Sequence, residues 1–239
     1  MKKSILIAVL TASMATSAFA QWKPAGDKIK TKWAEQVNPE NVLPEYPRPV
    51  MERGEWKNLN GLWNYAITEK GAVPSAYEGQ ILVPFAVESS LSGVGKKVSP
   101  DEELWYQRNF TVPATWKGKK VMLNFGAVDW KADIWVNDIK VGQHTGGFTP
   151  FSLDITAALA AKGDNKLVVK VWDPTDRGPQ PRGKQVNRPE GIWYTAVADC
   201  LDGTCGRTSY NECSYFFGYR PKETDRRCCY QYRLSFRSY

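Results

Sequence analysis

Residues 121–156, VMLNFGAVDWKADIWVNDIKVGQHTGGFTPFSLDIT, decide the fold class. Apolar and polar residues alternate through 121–125 and again through 132–136, the period-two pattern of strands with one buried face. Between Val136 and Ile139 stand Asn137 and Asp138. Both side chains tolerate positive φ, so the pair predicts a tight hairpin turn. Gly146 and Gly147 let the backbone bend sharply, and Phe148 and Phe151 are then expected to return to an apolar face.

The same period extends outward. Residues 59–67, LNGLWNYAI, alternate and predict a strand; 81–85, ILVPF, predict a second, with Pro84 at a sheet edge where its missing N–H is tolerated. Residues 104–110, 120–125, 139–141 and 167–172 continue the pattern. The stretch 88–100 is rich in Ser, Gly and Lys and reads as a flexible loop. Residues 154–161, DITAALAA, predict a short helical turn capped by Asp154 or Thr156 and ended by Gly163. Many short strands with turn signals between them and one short helix predict an all-β, jelly-roll-like antiparallel sandwich.

The chain opens MKKSILIAVLTASMATSAFA: two lysines, an apolar run too short to span a bilayer, then an A-x-A site before Gln21. That order predicts a signal peptide over 1–20, cleaved between Ala20 and Gln21, and a periplasmic or secreted product. Gln21 rather than a cysteine stands directly after the cleavage site, so no lipoprotein-type membrane anchor is expected. Residues 21–43 are polar and read as an extended lead-in. The net charge is +7, but residues 21–197 carry only 23 basic against 20 acidic side chains, interspersed. A solvated surface explains this, and no nucleic-acid partner is expected.

Several phrases in order are similar to the N-terminal, galactose-binding-like β-sandwich of family 2 glycoside hydrolases, the β-galactosidase and β-glucuronidase type. They are Val128-Asp129-Trp130, Trp135-Val136-Asn137, Gly146-Gly147-Phe148-Thr149-Pro150-Phe151 and Val171-Trp172-Asp173-Pro174, with Asn60-Gly61 at the entry. Leu104 to Phe110 resembles a family strand, with Gln107 where Arg is common. The resemblance covers 44–197 and implies a non-catalytic domain bracing a later barrel of about 250 residues or more. Cleavage at Ala20 leaves 219 residues, which implies a fragment of such an enzyme or a free-standing domain. An autonomous carbohydrate-binding module and a non-functional gene remnant are the alternatives.

All five cysteines, Cys200, Cys205, Cys213, Cys228 and Cys229, lie in the last forty residues. An odd count with an adjacent pair fits no tidy disulfide framework, and His144 is the sole histidine, so zinc spacing is absent. Permitted codons for 197–206, VADCLDGTCG, read one base later spell Trp-Gln-Thr-Val-Trp-Met-Glu-Pro-Val, which agrees with the family's next strand. Residues 198–239 are therefore expected to be an out-of-frame, disordered tail.

Glycoside hydrolysis needs two carboxyl groups flanking the bond, and the resemblance places both on the barrel. Glu55, Glu88, Glu102, Glu103 and Glu190 match neither, so no catalytic residue is assigned, nor is a nucleophilic triad around His144. The loop 173–185, DPTDRGPQPRGKQ, is the best functional candidate. The resemblance implies that this loop reaches the substrate cleft of the parent and helps to bind a β-linked glycan. Asp173 or Asp176 would accept hydrogen bonds from a sugar hydroxyl, while Arg182 and Lys184 would meet an acidic sugar or structural carboxylates. Asp173-Pro174-Thr175-Asp176 is explained equally by turn chemistry. Trp130 and Trp135 are candidates for sugar stacking or interdomain contact, although alternation predicts that one of the two faces the core. No metal or organic cofactor is implied, and the sugar and oligomeric state stay open.

Overall fold

Alternation at 121–156 is realised as strands, and a computed structural model describes residues 22–27, 30–46, 53–188 and 204–206. The predicted signal peptide and most of 198–239 lie outside the described residues. Among those described, no helix is long and apolar enough to cross a membrane. The strands are β1 (Trp56–Asn58), β2 (Gly61–Glu69), β3 (Gly79–Val83), β4 (Glu102–Phe110), β5 (Met122–Phe125), β6 (Lys131–Val136), β7 (Ile139–Thr145), β8 (Phe151–Asp154), β9 (Asn165–Trp172) and β10 (Thr204–Gly206). They form a four-stranded sheet, β1-β10-β5-β8, and a six-stranded sheet, β3-β2-β4-β9-β6-β7. Each pairing is antiparallel.

One core fills the space between the sheets. Leu123 and Phe125 of β5 meet Trp63, Ile81, Leu104, Tyr106, Ile134, Val136, Leu167 and Val169 of the larger sheet in a single buried cluster. Period two sorts the faces: in β9 the odd positions Leu167, Val169 and Val171 are buried, and the even ones between them are half-buried. The architecture is an all-β, galactose-binding-like sandwich.

The hairpin between β6 and β7 turns on Asn137 and Asp138, with φ of 50° and 66°. Asn137 also fastens a third segment. Its Nδ2 donates to Ala158 O and Asn165 Oδ1, both at 2.8 Å, and its Oδ1 accepts from Lys166 N at 2.9 Å. Asn137→Ala is expected to cost about 2 kcal/mol, from three lost hydrogen bonds and a side chain forced into the left-handed region. Asn137→Gly relieves the backbone and should cost less. Urea unfolding of the two variants tests this ordering, and equal losses would place the effect elsewhere.

Other expectations need correction. Phe148 does not return to the core: it is 67% exposed, because the chain runs through Gly146-Gly147 without a strand before β8. Phe151 does pack, stacked on Phe125 at 4.7 Å and on His144 at 4.1 Å. The helical turn shrinks to one 3₁₀ turn, Thr156–Ala158. Asp154 belongs to β8, and its Oδ1 accepts from both the N–H and the hydroxyl of Thr156. The loop 88–100 is pinned rather than loose. Ser92, fully buried, donates its hydroxyl to Val87 O at 3.0 Å and accepts the N–H of Val94 at 3.0 Å.

Within the segment expected to be out of frame, Thr204–Gly206 pairs with β1 on one side and β5 on the other. Ladder hydrogen bonds use only backbone groups, so this register makes little demand on side-chain identity.

Candidate functional site

The loop after β9 begins inside the protein. Asp173 is 4% exposed, and its Oδ1 accepts from Thr175 N at 2.8 Å. Thr175 is 1% exposed and holds a positive φ of 56°, a strained conformation for a β-branched residue. Gln180 closes the turn by donating Nε2 to Thr175 O at 3.0 Å. The loop leaves the surface again at Gln185, whose Nε2 donates to Asp129 Oδ2 at 3.2 Å.

Asp129 comes from the opposite side, just before β6, and is 2% exposed. A side chain at Gly147 would overlap its carboxylate, so the second glycine of the 146–147 pair is required by close approach. Burial, and next the charge of Asp173, push the Asp129 carboxyl up to about 7, against the weaker opposing effect of Gln185. Asp173 is raised as well, by burial first and by Asp176 in addition, while the Thr175 N–H acts against this. Two acids thus share one low-dielectric site.

The neighbouring loop braces this one. Trp172 Nε1 donates to Pro100 O at 2.8 Å, Arg177 pairs with Asp101 at 2.9 Å, and Lys97 donates to Asn187 O.

Of the four loop residues named from sequence, the structure divides one from three. Asp173 is buried at the base. Asp176 is exposed, with Oδ2 accepting from Asn187 N at 3.1 Å; Lys184 is exposed; Arg182 is half-buried and donates Nη1 to Gln185 O at 3.0 Å. Sequence reasoning missed Asp129 as a site residue. Its one signal is a carboxylate set among Ala127, Val128 and Trp130, too short a context to distinguish burial from a turn.

Neither Trp130 nor Trp135 enters the core, contrary to the expectation from alternation; both are half-buried. In β6 the inward positions are Ala132, Ile134 and Val136, which leaves Asp133 and Trp135 on the outer face. There Trp135 stacks on Trp105 at 5.9 Å with an interplanar angle of 21°. Around them the buried acids are neutralised: Asp133 pairs with Lys140 at 2.6 Å and Lys170 at 3.5 Å, and Glu103 with Lys170 at 3.2 Å. Among the described residues no group of three or more His, Cys, Asp or Glu is placed to hold a metal ion.

Several known proteins are similar to part of this chain. A β-glucuronidase of Paenibacillus borealis is 28% identical over 158 residues, covering 61% of this chain and 26% of that protein. A β-glucuronidase of Canis lupus familiaris is 31% identical over 131 residues, 46% of this chain and 19% of its own. A β-galactosidase of Thermoanaerobacter pseudethanolicus is 37% identical over 84 residues, 35% and 11% respectively. A solved β-glucuronidase of Faecalibacterium prausnitzii is 28% identical with a TM-score of 0.43, covering 54% of this chain and 22% of that one. The chain therefore spans about a quarter or less of the length of these relatives. The model of the glycosyl hydrolase 2 galactose-binding domain-like family matches residues 91–218, more than half of the chain. The chain belongs to that family.

Proposed function

We propose that this chain is the non-catalytic, carbohydrate-associated N-terminal domain of a secreted family 2 glycoside hydrolase whose substrate is a β-linked glycan. The observation that carries the reading is the family match over 91–218, joined by relatives named as β-glucuronidases and a β-galactosidase. In this reading the sandwich braces the catalytic domain and offers the loop 173–188 to the substrate cleft. Asp176 and Lys184, both exposed, make the outward polar contacts, and Arg182 holds the loop by its bond to Gln185 O. Asp173 acts from beneath, by fixing the turn at Thr175.

Asp129 and Asp173 are both buried acids, and at 2% and 4% exposure neither can reach a glycosidic oxygen. Hydrolysis requires both carboxyl groups against the scissile bond. The purified chain is expected to show no turnover of aryl β-glucuronides or β-galactosides above a vector control, and measurable turnover would sink the reading. Saturable polysaccharide binding by the chain, lost in Trp135→Ala, would favour an autonomous binding module instead. Export is part of the proposal: N-terminal sequencing of the secreted protein should begin at Gln21.

A further inference from the structure

The buried acids of this protein fall into two kinds. Glu103 and Asp133 on the outer sheet face each have a lysine ammonium within 3.2 Å and 2.6 Å respectively. Among the described residues, Asp129 and Asp173 have none. The groups acting on Asp129 are Asp173 and the neutral Gln185, and those acting on Asp173 are the Thr175 N–H and the acidic Asp176. Two buried carboxylates, near enough for the charge of Asp173 to raise Asp129 and without a counter-charge among the described residues, are costly unless something positive joins them.

The oxygens left over are all of one chemical type. Asp129 Oδ1 and Asp173 Oδ2 meet no donor, and neither do Thr175 Oγ1 and Gln180 Oε1 on the same turn. All four residues are more than nine-tenths buried, at 2%, 4%, 1% and 6% exposure. Buried polar atoms in folded proteins nearly always have partners, and four orphans on one loop and its neighbour are a concentration rather than a scatter. No nitrogen or sulfur ligand is among them. Two carboxylates with a hydroxyl and an amide carbonyl make a hard, oxygen-only set, the kind that suits calcium, which accepts six to eight oxygens in loose geometry and completes its shell with water.

We propose that Asp129 Oδ1 and Asp173 Oδ2 bind a divalent cation of the calcium type at the base of the loop 173–188, with Thr175 Oγ1 and Gln180 Oε1 as neutral ligands. The cation ties the segment before β6 to the loop after β9, and so fixes how Asp176, Arg182 and Lys184 are presented. With only two charged ligands the dissociation constant should fall near about 10⁻⁴–10⁻³ M, the range of extracellular calcium modules. This goes beyond the glycan reading and does not depend on it.

Terbium is the probe, since Trp130 is the next residue to Asp129 and Trp172 the residue before Asp173. Titrating the chelator-treated full chain with Tb³⁺ is expected to give saturable luminescence excited through tryptophan and reversed by excess Ca²⁺. Calcium at about a hundred times its dissociation constant should raise Tm by about 5 °C. Asp129→Asn and Asp173→Asn should each lose both signals, while Asp133→Asn, which alters an acid of the outer face, keeps them. Thr175→Val leaves both carboxylates in place, and is expected to weaken binding several-fold even if an Asp variant fails to fold. No saturable luminescence and no Tm gain in the wild-type chain would overturn the proposal. So would a response undiminished in both Asp variants, or stabilisation by acid alone with none by Ca²⁺, which would mean that the pair holds a proton instead.

Discussion

Trp63→Ala lowers the stability of the sandwich by about 3–5 kcal/mol, the expected cost of emptying a large aromatic site in a packed core. Trp63 is 1% exposed, sits on the inner face of β2 and meets Tyr106 edge-on at 6.4 Å. Its Nε1 donates to Leu59 O at 2.8 Å, which fixes the ring in one orientation. That carbonyl also accepts from Arg108 Nη1 at 2.7 Å, and Arg108 bonds Asn60 O at 2.7 Å as well. Removing the indole therefore leaves Leu59 O satisfied, and the loss is cavity and dispersion rather than an orphaned acceptor. Against a typical stability of about 5–15 kcal/mol this is a large fraction. The midpoint of urea unfolding should fall with an unchanged slope, and Tm should drop by about 10 °C or more. Trp63→Phe keeps most of the volume and should cost less than half as much. A loss under about 1 kcal/mol for the alanine variant would mean that the two sheets are not joined through this residue.

The strand that carries Trp63 was legible because its faces alternate from Gly61 to Tyr65, and so was the β6–β7 hairpin, where Asn137-Asp138 specify their own backbone conformation. Period two places a residue on a face and does nothing more. It could not tell that the turn Asp154–Ala161 would give its first residue to β8, since Asp154 can cap a helix or end a strand equally well. It failed at Phe148 for a related reason: across Gly146-Gly147 and Pro150 there is no continuous strand to carry the alternation. Trp135 misled in another way, because a half-buried outer face paired with Trp105 and lysine stems looks in sequence like a buried one.

At the candidate site the loop was legible and its interior was not. Asp173-Pro174-Thr175-Asp176 announces a turn, but its buried surroundings are assembled by Gln180 bonding Thr175 O and by Gln185 reaching Asp129, forty-four residues before Asp173 in the chain. Contacts between loops of separate strands leave no period to read. Gly147 is the nearest to a written signal, and its reason, room for the Asp129 carboxylate, emerges only with the three-dimensional neighbour in place.

Asp129→Asn should stabilise the chelator-treated protein at and above neutral pH, by up to about 4 kcal/mol if the whole shift from the ordinary 3.8 to about 7 is realised. The sign follows from proton counting. Between those two values the folded chain holds a proton on Asp129 that the unfolded chain has released, so raising the pH favours unfolding. The penalty begins above about pH 4, is complete above about pH 7, and is absent in more acid solution. Asp173, raised too, adds in the same direction. Asp133 and Asp154 are held below their usual value, Asp133 chiefly by Lys140 against its own burial and Asp154 by Thr156; they contribute stability that is lost as the pH falls through the acid range. The metal-free wild type should therefore be most stable at about pH 4–5 and decline toward pH 8. In Asp129→Asn the decline should be small and the optimum displaced upward, with the two proteins equal below about pH 4. Urea titrations in EDTA across that range measure this directly. A wild-type stability that rises steadily from pH 4 to 8 would contradict it, since a carboxyl buried without a counter-charge cannot gain from ionising.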